Sequence, residues 1–192
     1  MAPAPTPALV LALYDYSNTS QIAVLFTRDL GKVRGLAKGA KRATGAFQGG
    51  LETGAVYDVQ LIRKTEGLDL LTRASMAENF PGLRRSPAAL NAAFYVLELA
   101  GELTVEHDPQ PAFWKVALDT LRLLDRGAPG DIVLFRFEAA ALSLLGFMPR
   151  TESCALCSAK LPARPAFSPR FGGALCAACG PRDPGAQPGS AG

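Results

Sequence analysis

Four cysteines, arranged as two C-x-x-C pairs, constrain the fold more than any other feature of this 192-residue sequence. Cys154 and Cys157 form the first pair, and Cys176 and Cys179 form the second, with 18 residues between the pairs. Two residues between cysteines let one tight turn direct both sulfurs at the same ion, and two such turns complete a tetrahedron. The spacing predicts one structural Zn²⁺ with a closed coordination shell.

Redox chemistry and disulfides are the alternatives for these cysteines. A redox C-x-x-C motif is expected at the start of a helix that follows a strand, and two such motifs in one small lobe would be unusual. Disulfides are typical of secreted proteins, and the N-terminal residues MAPAPTPALVLALYDYS lack the charged region of a secretory signal. The apolar run at 8–14 is also too short to span a bilayer. We therefore expect a cytoplasmic protein whose cysteines bind metal.

Residues 1–79 contain five short segments with the composition and alternation of β-strands. Polar turn residues separate them, for example SNTS at 17–20 and DLG at 29–31. Five short strands in about 70 residues predict a small closed barrel of the OB type. An SH3-like barrel fits the strand count about as well.

The stretch RDLGKVRGLAKGAKR, residues 28–42, concentrates positive charge in this barrel. In a strand that begins near Lys32, the side chains of Lys32, Arg34 and Lys38 extend from one face and small residues from the other. The arrangement suits a surface that binds phosphates, with the small residues allowing close approach, or a solvated edge strand protected by lysines. The candidate nucleic-acid-binding residues are Arg28, Lys32, Arg34, Lys38, Lys41, Arg42, Phe47, Arg63 and Lys64.

Two further expectations concern this candidate surface. Among the aromatic side chains Tyr14, Tyr16, Phe26 and Phe47, the sequence favours Phe47 as the stacking face, because it lies in a Gly-rich loop while the others are expected in the core. Lys41 and Arg42 are expected in a flexible loop that becomes ordered on nucleic acid.

Residues 80–148 are expected to form a helical bundle. Ser86-Pro87 and Asp108-Pro109 predict the starts of two helices, and Asp131 is expected to cap a third. The third is apolar nearly all round, which predicts a position at the buried centre of the bundle, with a surface that binds a partner as the alternative. A zinc-ribbon-like lobe at 149–181, packed on the helical domain, and a disordered tail at 182–192 complete an α+β multidomain organisation.

The composition argues against catalysis. A histidine-based triad is not expected, because His107 is the only histidine and has no evident partner. No cluster of acidic residues suits Mg²⁺, so a nuclease is not expected. The net charge of +3 is too small to indicate nucleic acid by itself, and the argument depends on where the charge lies.

The combination of a cationic barrel, a helical bundle and a four-cysteine lobe resembles the RecO family of bacterial recombination mediators. The most specific matching segment is YDYSNTSQIAVLFTRDLGKVRGLAKGAKR, residues 14–42, and the cysteine pairs follow a Gly-Phe-x-Pro turn at 146–149. The resemblance implies a non-enzymatic, nucleoid-associated repair protein that binds single- and double-stranded DNA and anneals strands. It also implies RecA loading with RecR on strands coated by single-stranded-DNA-binding protein. An RNA-binding OB/zinc-ribbon protein and an interaction scaffold that contacts no nucleic acid are the remaining alternatives.

Overall fold

Five strands in the first part of the chain close into a barrel in the order β1-β2-β3-β5-β4, with β4 pairing back to β1. The computed structural model describes residues 5–42, 46–47 and 50–189. The strands are β1 (Thr6–Asp15), β2 (Gln21–Thr27), β3 (Gly31–Ala37), β4 (Val56–Ile62) and β5 (Asp69–Glu78). All neighbouring strands are antiparallel except β3 and β5, which are parallel. This strand order, with its parallel β3–β5 pair, is that of the OB fold. It confirms the predicted OB-type barrel over the SH3-like alternative.

Alternating side chains explain the barrel core. On β3, Val33 and Ala37 are buried inside the barrel, whereas Arg34 between them is exposed. The inward residues of the other strands are also small or aliphatic, and include Val10, Ala23, Leu25, Val59, Leu61 and Leu71. Because the side-chain period is two, this register directs alternate side chains of each strand into the barrel core.

Three helices follow the barrel: α1 (Pro87–Glu102), α2 (Pro111–Asp125) and α3 (Gly130–Leu144). The start of α1 is as predicted, since the Ser86 hydroxyl accepts a hydrogen bond from the Ala89 N–H at 3.4 Å. The start predicted at Asp108-Pro109 is wrong by two residues, because α2 begins at Pro111 after Gln110. The residues just before α2 are bonded to the barrel, because the His107 N–H donates to the Lys32 carbonyl oxygen at 2.9 Å. The predicted cap at Asp131 is wrong by at least one residue, because α3 begins at Gly130; Asp131 lies in its first turn, where the helix dipole stabilises a negative charge.

An aromatic stack joins the barrel to the helices. Phe26 of β2, Phe113 of α2 and Phe137 of α3 are at most 1% exposed, and successive ring centroids are 5.8 Å apart. The indole N–H of Trp114 donates to the Phe26 carbonyl oxygen at 3.0 Å. The barrel and the helices up to Ala140 accordingly form one compact body, the barrel–helix unit (Met1–Ala140).

The third helix is not the buried centre of a bundle. Val133 and Phe137 are buried, but Ile132 is 58% exposed and Phe135 is 71% exposed. The prediction from its apolar composition is wrong because the described chain covers only one side of the helix. None of the described helices has the length and hydropathy needed to cross a membrane.

The remaining residues form the cysteine unit (Ala141–Gly192). Its sheet has the order β7-β6-β8, with β6 at Ala166–Ser168, β7 at Gly173–Leu175 and β8 at Gln187–Pro188. The segment from 182 to 189 therefore differs from the disordered tail that its composition predicts. It is held by the strand pair of β8 with β6 and by a hydrogen bond from the Gly189 N–H to the Pro165 carbonyl oxygen at 3.0 Å.

Candidate metal centre and nucleic-acid interface

The four cysteines converge in the cysteine unit. Their Sγ atoms all lie within 4.8 Å of one another, and those of Cys157 and Cys176 are 3.7 Å apart. In a tetrahedron with metal–sulfur bonds of about 2.3 Å the sulfurs are roughly 3.8 Å apart. The donor set therefore fits one tetrahedral metal ion, and the predicted convergence of the two pairs is confirmed.

Two backbone turns position the sulfurs. In the first, the Ser158 N–H donates to the Cys154 carbonyl oxygen at 2.8 Å, and in the second the Cys179 N–H donates to that of Cys176 at 3.0 Å. The turns are connected through β7, since the Ala155 N–H donates to the Ala174 carbonyl oxygen at 2.8 Å. Backbone hydrogen bonding therefore brings two sequence-distant pairs to one point.

The electrostatics of the cluster suit thiolate ligands. Backbone N–H groups, chiefly that of Cys176 and then that of Cys157, lower the pKa of Cys154 to about 6. Burial and the neighbouring thiols raise the pKa of Cys179 to about 12. A bound cation would favour ionisation of both, because ligation requires deprotonated sulfur. Cys154, Cys176 and Cys179 are buried, whereas Cys157 is exposed, so three of the four sulfur ligands are shielded from solvent.

In the barrel, the face of β3 that carries the small side chains points into the core. Gly35 packs on the side chains of Leu61 and Leu71, and an added Cβ would lie 3.3 Å from a Leu61 methyl carbon. The small residues therefore serve close packing inside the barrel and are not available to a ligand. This corrects the expectation that they allow close approach of a phosphate backbone.

The outward residues of β3 have unequal surroundings. The Lys32 ammonium donates to the Gly101 carbonyl oxygen at 2.6 Å, in the last turn of α1. Helices end in unpaired carbonyls and a negative dipole end, so Lys32 caps α1. Arg34 is exposed, but it lines a groove that also contains Glu98 and Glu102 of α1. The cationic face predicted from alternation thus borders an acidic helix edge, and sequence reasoning missed these acids.

The basic residues after β3 form a turn at one end of the barrel. Lys38 and Arg42 are exposed, and in the described residues neither takes part in an ion pair. Lys41 pairs with Asp15 at 2.6 Å, and this hydrogen bond lowers the pKa of the Asp15 carboxyl. The Arg42 N–H donates to the Gly39 carbonyl oxygen at 3.0 Å, so both residues belong to a defined turn. Residues 43–45 and 48–49 of the Gly-rich loop lie outside the described residues.

The aromatic residues differ from expectation. Phe47 is only 5% exposed and belongs to the barrel core, so its predicted stacking role is corrected. Tyr14 and Tyr16, expected in the core, are 57% and 60% exposed. The strand pairing places them at the same end of the barrel as the basic turn, and Tyr14 also lines the groove that contains Arg34 and the acids of α1. A signal for this was present, because both tyrosines border the polar SNTS turn where β1 leaves the barrel.

The other three candidate residues belong to the opposite end of β3. Arg28 pairs with Asp29 at 2.9 Å, and Arg63 lines a groove with Asp29 and Leu30 beside the β2–β3 turn. The exposed Lys64 follows Arg63, and its backbone N–H donates to an Asp69 carboxylate oxygen at 2.9 Å. Seven residues of strand extend roughly 23 Å, so these side chains form a second cluster, separate from the basic turn.

Comparison with known proteins agrees with this architecture. The family model described as Recombination protein O N terminal matches residues 1–80, and Recombination protein O C terminal matches residues 84–192. The chain belongs to the RecO family.

Curated relatives of the family named DNA repair protein RecO are similar along most of this chain. The protein from Rhodopirellula baltica is 36% identical over 91% of this chain, that from Myxococcus xanthus 34% over 91%, and that from Geobacter metallireducens 38% over 91%. The matches span 66%, 72% and 72% of those RecO proteins. The chain thus corresponds to about two thirds of a typical RecO relative.

Proposed function

We propose that this protein binds single- and double-stranded DNA through its barrel and acts as a mediator of recombinational DNA repair. One observation carries the proposal: Lys38 and Arg42 are exposed at the same end of an OB-type barrel as the exposed Tyr14 and Tyr16, in a chain of the RecO family. Loops at the ends of OB barrels are common sites of oligonucleotide binding.

The proposed contacts divide by chemistry. Lys38, Lys41 and Arg42 would bind phosphates and release their counterions, which makes affinity fall with salt. Tyr14 and Tyr16 would stack on unpaired bases, worth about 1–3 kcal/mol per base. Phosphate contacts are available in single and double strands, whereas stacking requires unpaired bases. The basic turn therefore supports binding of both forms, and the tyrosines favour single strands.

Family membership supports a role for this binding in strand annealing and in loading RecA together with RecR. The substrate would be a strand covered by single-stranded-DNA-binding protein, and the protein would act in the cytoplasm on the nucleoid. We propose that it acts by binding and not by catalysis. Incubating it with labelled DNA and divalent metal should give no cleavage products.

We further propose that the metal is a single Zn²⁺ with a structural role. Four thiolates are the donor set that selects zinc in structural sites and leave no open coordination position. The site would hold the two turns of the cysteine unit together and would supply no reacting group.

A DNA-binding titration over a salt series tests the barrel interface. The three phosphate contacts of the basic turn should give a log–log slope of affinity against salt of about −2 to −3. Replacing Lys38, Lys41 and Arg42 together by Ala should weaken binding and reduce the magnitude of the slope by about 2 to 3.

The matched control removes three exposed basic residues elsewhere in the same unit, Arg85, Arg126 and Arg136. It lowers the net charge equally and should leave the slope nearly unchanged. A salt-insensitive affinity, or equal losses in both triple variants, would contradict the proposed interface. Competition with a matched RNA strand distinguishes DNA binding from RNA binding, and complete failure to retain nucleic acid at moderate salt would favour a scaffold.

A further inference from the structure

The distribution of charge between the two units indicates a second surface for nucleic acid. The barrel–helix unit contains fifteen basic and fifteen acidic side chains, whereas the cysteine unit contains five and two. The net charge of +3 therefore lies entirely in the cysteine unit. Zn²⁺ held by four thiolates adds a formal charge of −2, and the unit remains net positive.

The basic side chains of the cysteine unit are solvated and form no ion pair in the described residues, although hydrogen bonds from Ser168 and Gly185, together with the charge of Arg170, lower the pKa of the Asp183 carboxyl. All five are exposed: Arg150, Lys160, Arg164, Arg170 and Arg182. Over the described range 141–189 none of them is within ion-pair distance of a carboxylate, whereas five basic residues of the barrel–helix unit are. Of the two acids, Asp183 is 7% exposed and accepts hydrogen bonds from the Ser168 hydroxyl and the Gly185 N–H. Only Glu152 is an exposed acid.

Backbone structure brings two of these arginines together. The Arg150 N–H donates to the Gly172 carbonyl oxygen at 3.0 Å, and the Ala174 N–H donates to the Arg150 carbonyl oxygen at 2.8 Å. Arg170 lies in the β6–β7 turn that Gly172 completes, with its guanidinium 5.4 Å from the centre of the Phe171 ring. The backbones of both arginines therefore lie at the turn end of the β6–β7 hairpin.

The metal-binding turn contributes to this arrangement. The Arg150 guanidinium lies 3.5 Å from the Ser158 hydroxyl, directly after the first cysteine pair. Gly173 permits the close approach of the Arg150 backbone, since an added Cβ would lie 2.3 Å from the Arg150 carbonyl oxygen. Main-chain hydrogen bonds thus fix the backbone around both arginines. This reduces the entropy cost of ordering them on a ligand.

We infer that the exposed basic residues around Arg150 and Arg170 form a second nucleic-acid-binding surface, which holds one phosphodiester strand while the barrel holds another. The inference rests on the proposed DNA binding by the barrel. Guanidinium groups bind phosphate oxygens in a bidentate manner. A cation without an ion-pair partner loses no existing contact when it binds a phosphate, so the release of counterions from the strand contributes fully to affinity. Two binding surfaces in one chain would bring two strands together, which annealing requires.

The test measures the two strands separately. A dT oligonucleotide is immobilised, the full-length protein is bound to it, and capture of a second, fluorescent dT strand is measured; first-strand affinity is measured by anisotropy. The double variant Arg150→Gln and Arg170→Gln should reduce second-strand capture about tenfold and change first-strand affinity less than about twofold, because two phosphate contacts are lost from one surface only. The main-chain bonds of both residues remain, and metal content verifies that the unit is folded.

Two comparisons make the result decisive. The double variant Arg126→Gln and Arg136→Gln removes the same charge from exposed positions of the barrel–helix unit and should leave second-strand capture unchanged. The double variant Arg150→Lys and Arg170→Lys keeps the charge and should retain most of the capture. Unchanged capture in the Arg150/Arg170 glutamine variant, or an equal loss in the control, overturns the second surface while leaving barrel binding intact. If the wild-type protein binds no first strand, the proposed function itself fails.

Discussion

At the scale of single residues, the basic side chains of the barrel divide according to the partner of each. Lys32 caps the last turn of α1 through the Gly101 carbonyl oxygen, and Lys41 is paired with Asp15. Lys38 and Arg42 are exposed and have no ion pair in the described part of the chain. Residues that are neighbours in a basic run can therefore have different roles, because a cation that already has a partner gains less from a phosphate.

Lys32 and Arg34 provide a direct comparison of these roles. Replacing Lys32 by Met keeps its aliphatic stem and removes the ammonium, which should lower the free energy of unfolding of the barrel–helix unit by about 1–2 kcal/mol. Arg34→Met, on the same face of the same strand, should change stability by less than about 0.5 kcal/mol. Urea unfolding followed by the fluorescence of Trp114, the only tryptophan, measures both. Equal effects would show that the Gly101 contact contributes nothing.

At the scale of elements, the β2–β3 turn connects the barrel to the loop between α1 and α2. Gly31 has a φ of +73°, and an added Cβ would lie 2.3 Å from the Asp108 carbonyl oxygen. Gly67, in the β4–β5 loop, has a similar φ of +79° but no atom within 4 Å of the added Cβ. The two glycines thus share a backbone conformation and differ in their surroundings.

Substituting each glycine by Ala should separate strain from packing. Gly67→Ala should cost about 1 kcal/mol, the penalty for a side chain in the left-handed region. Gly31→Ala should cost about 3 kcal/mol or more, because the α1–α2 loop must also move. Thermal unfolding monitored at Trp114 compares them. If the two variants lose equal stability, the close contact with Asp108 is not maintained in solution.

Several elements could be predicted from local sequence because local chemistry determines them. Alternation predicted the five strands, Ser86-Pro87 predicted the start of α1, and cysteine spacing predicted the convergence of the four cysteines. The burial of Phe47 and the capping role of Lys32 could not be predicted in this way. Each depends on a tertiary neighbour, and Gly101 is 69 residues from Lys32 in the chain.

At the scale of the whole molecule, the two compact units differ in what stabilises them. The barrel–helix unit has a buried core that includes the stack of Phe26, Phe113 and Phe137. The cysteine unit has strands of only two or three residues and a small cluster around its cysteines. So small a core supplies little hydrophobic stabilisation, so a bound metal should contribute most of the folding free energy of this unit.

Removing one cysteine ligand tests whether metal stabilises the cysteine unit but not the barrel–helix unit. Cys176→Ser should abolish stoichiometric metal binding and increase amide hydrogen exchange across residues 141–189, while the unfolding midpoint reported by Trp114 stays nearly unchanged. Ala177→Ser, at an exposed position inside the same cysteine pair, is the matched control and should keep both metal and protection. Loss of the barrel–helix unit in the Cys176 variant would show that the two units fold together.

The aromatic stack also has a consequence for how the chain folds during synthesis. Phe26 is in the second strand, but the rings that cover it belong to residues 113 and 137. All five strands leave the ribosome before either helix is complete, so the nascent barrel exposes an apolar face for the time needed to add about 60 residues, several seconds at typical elongation rates. A ribosome-bound chaperone that recognises exposed aromatic side chains should therefore cross-link to stalled chains of about 110 residues and release them once Phe137 has emerged.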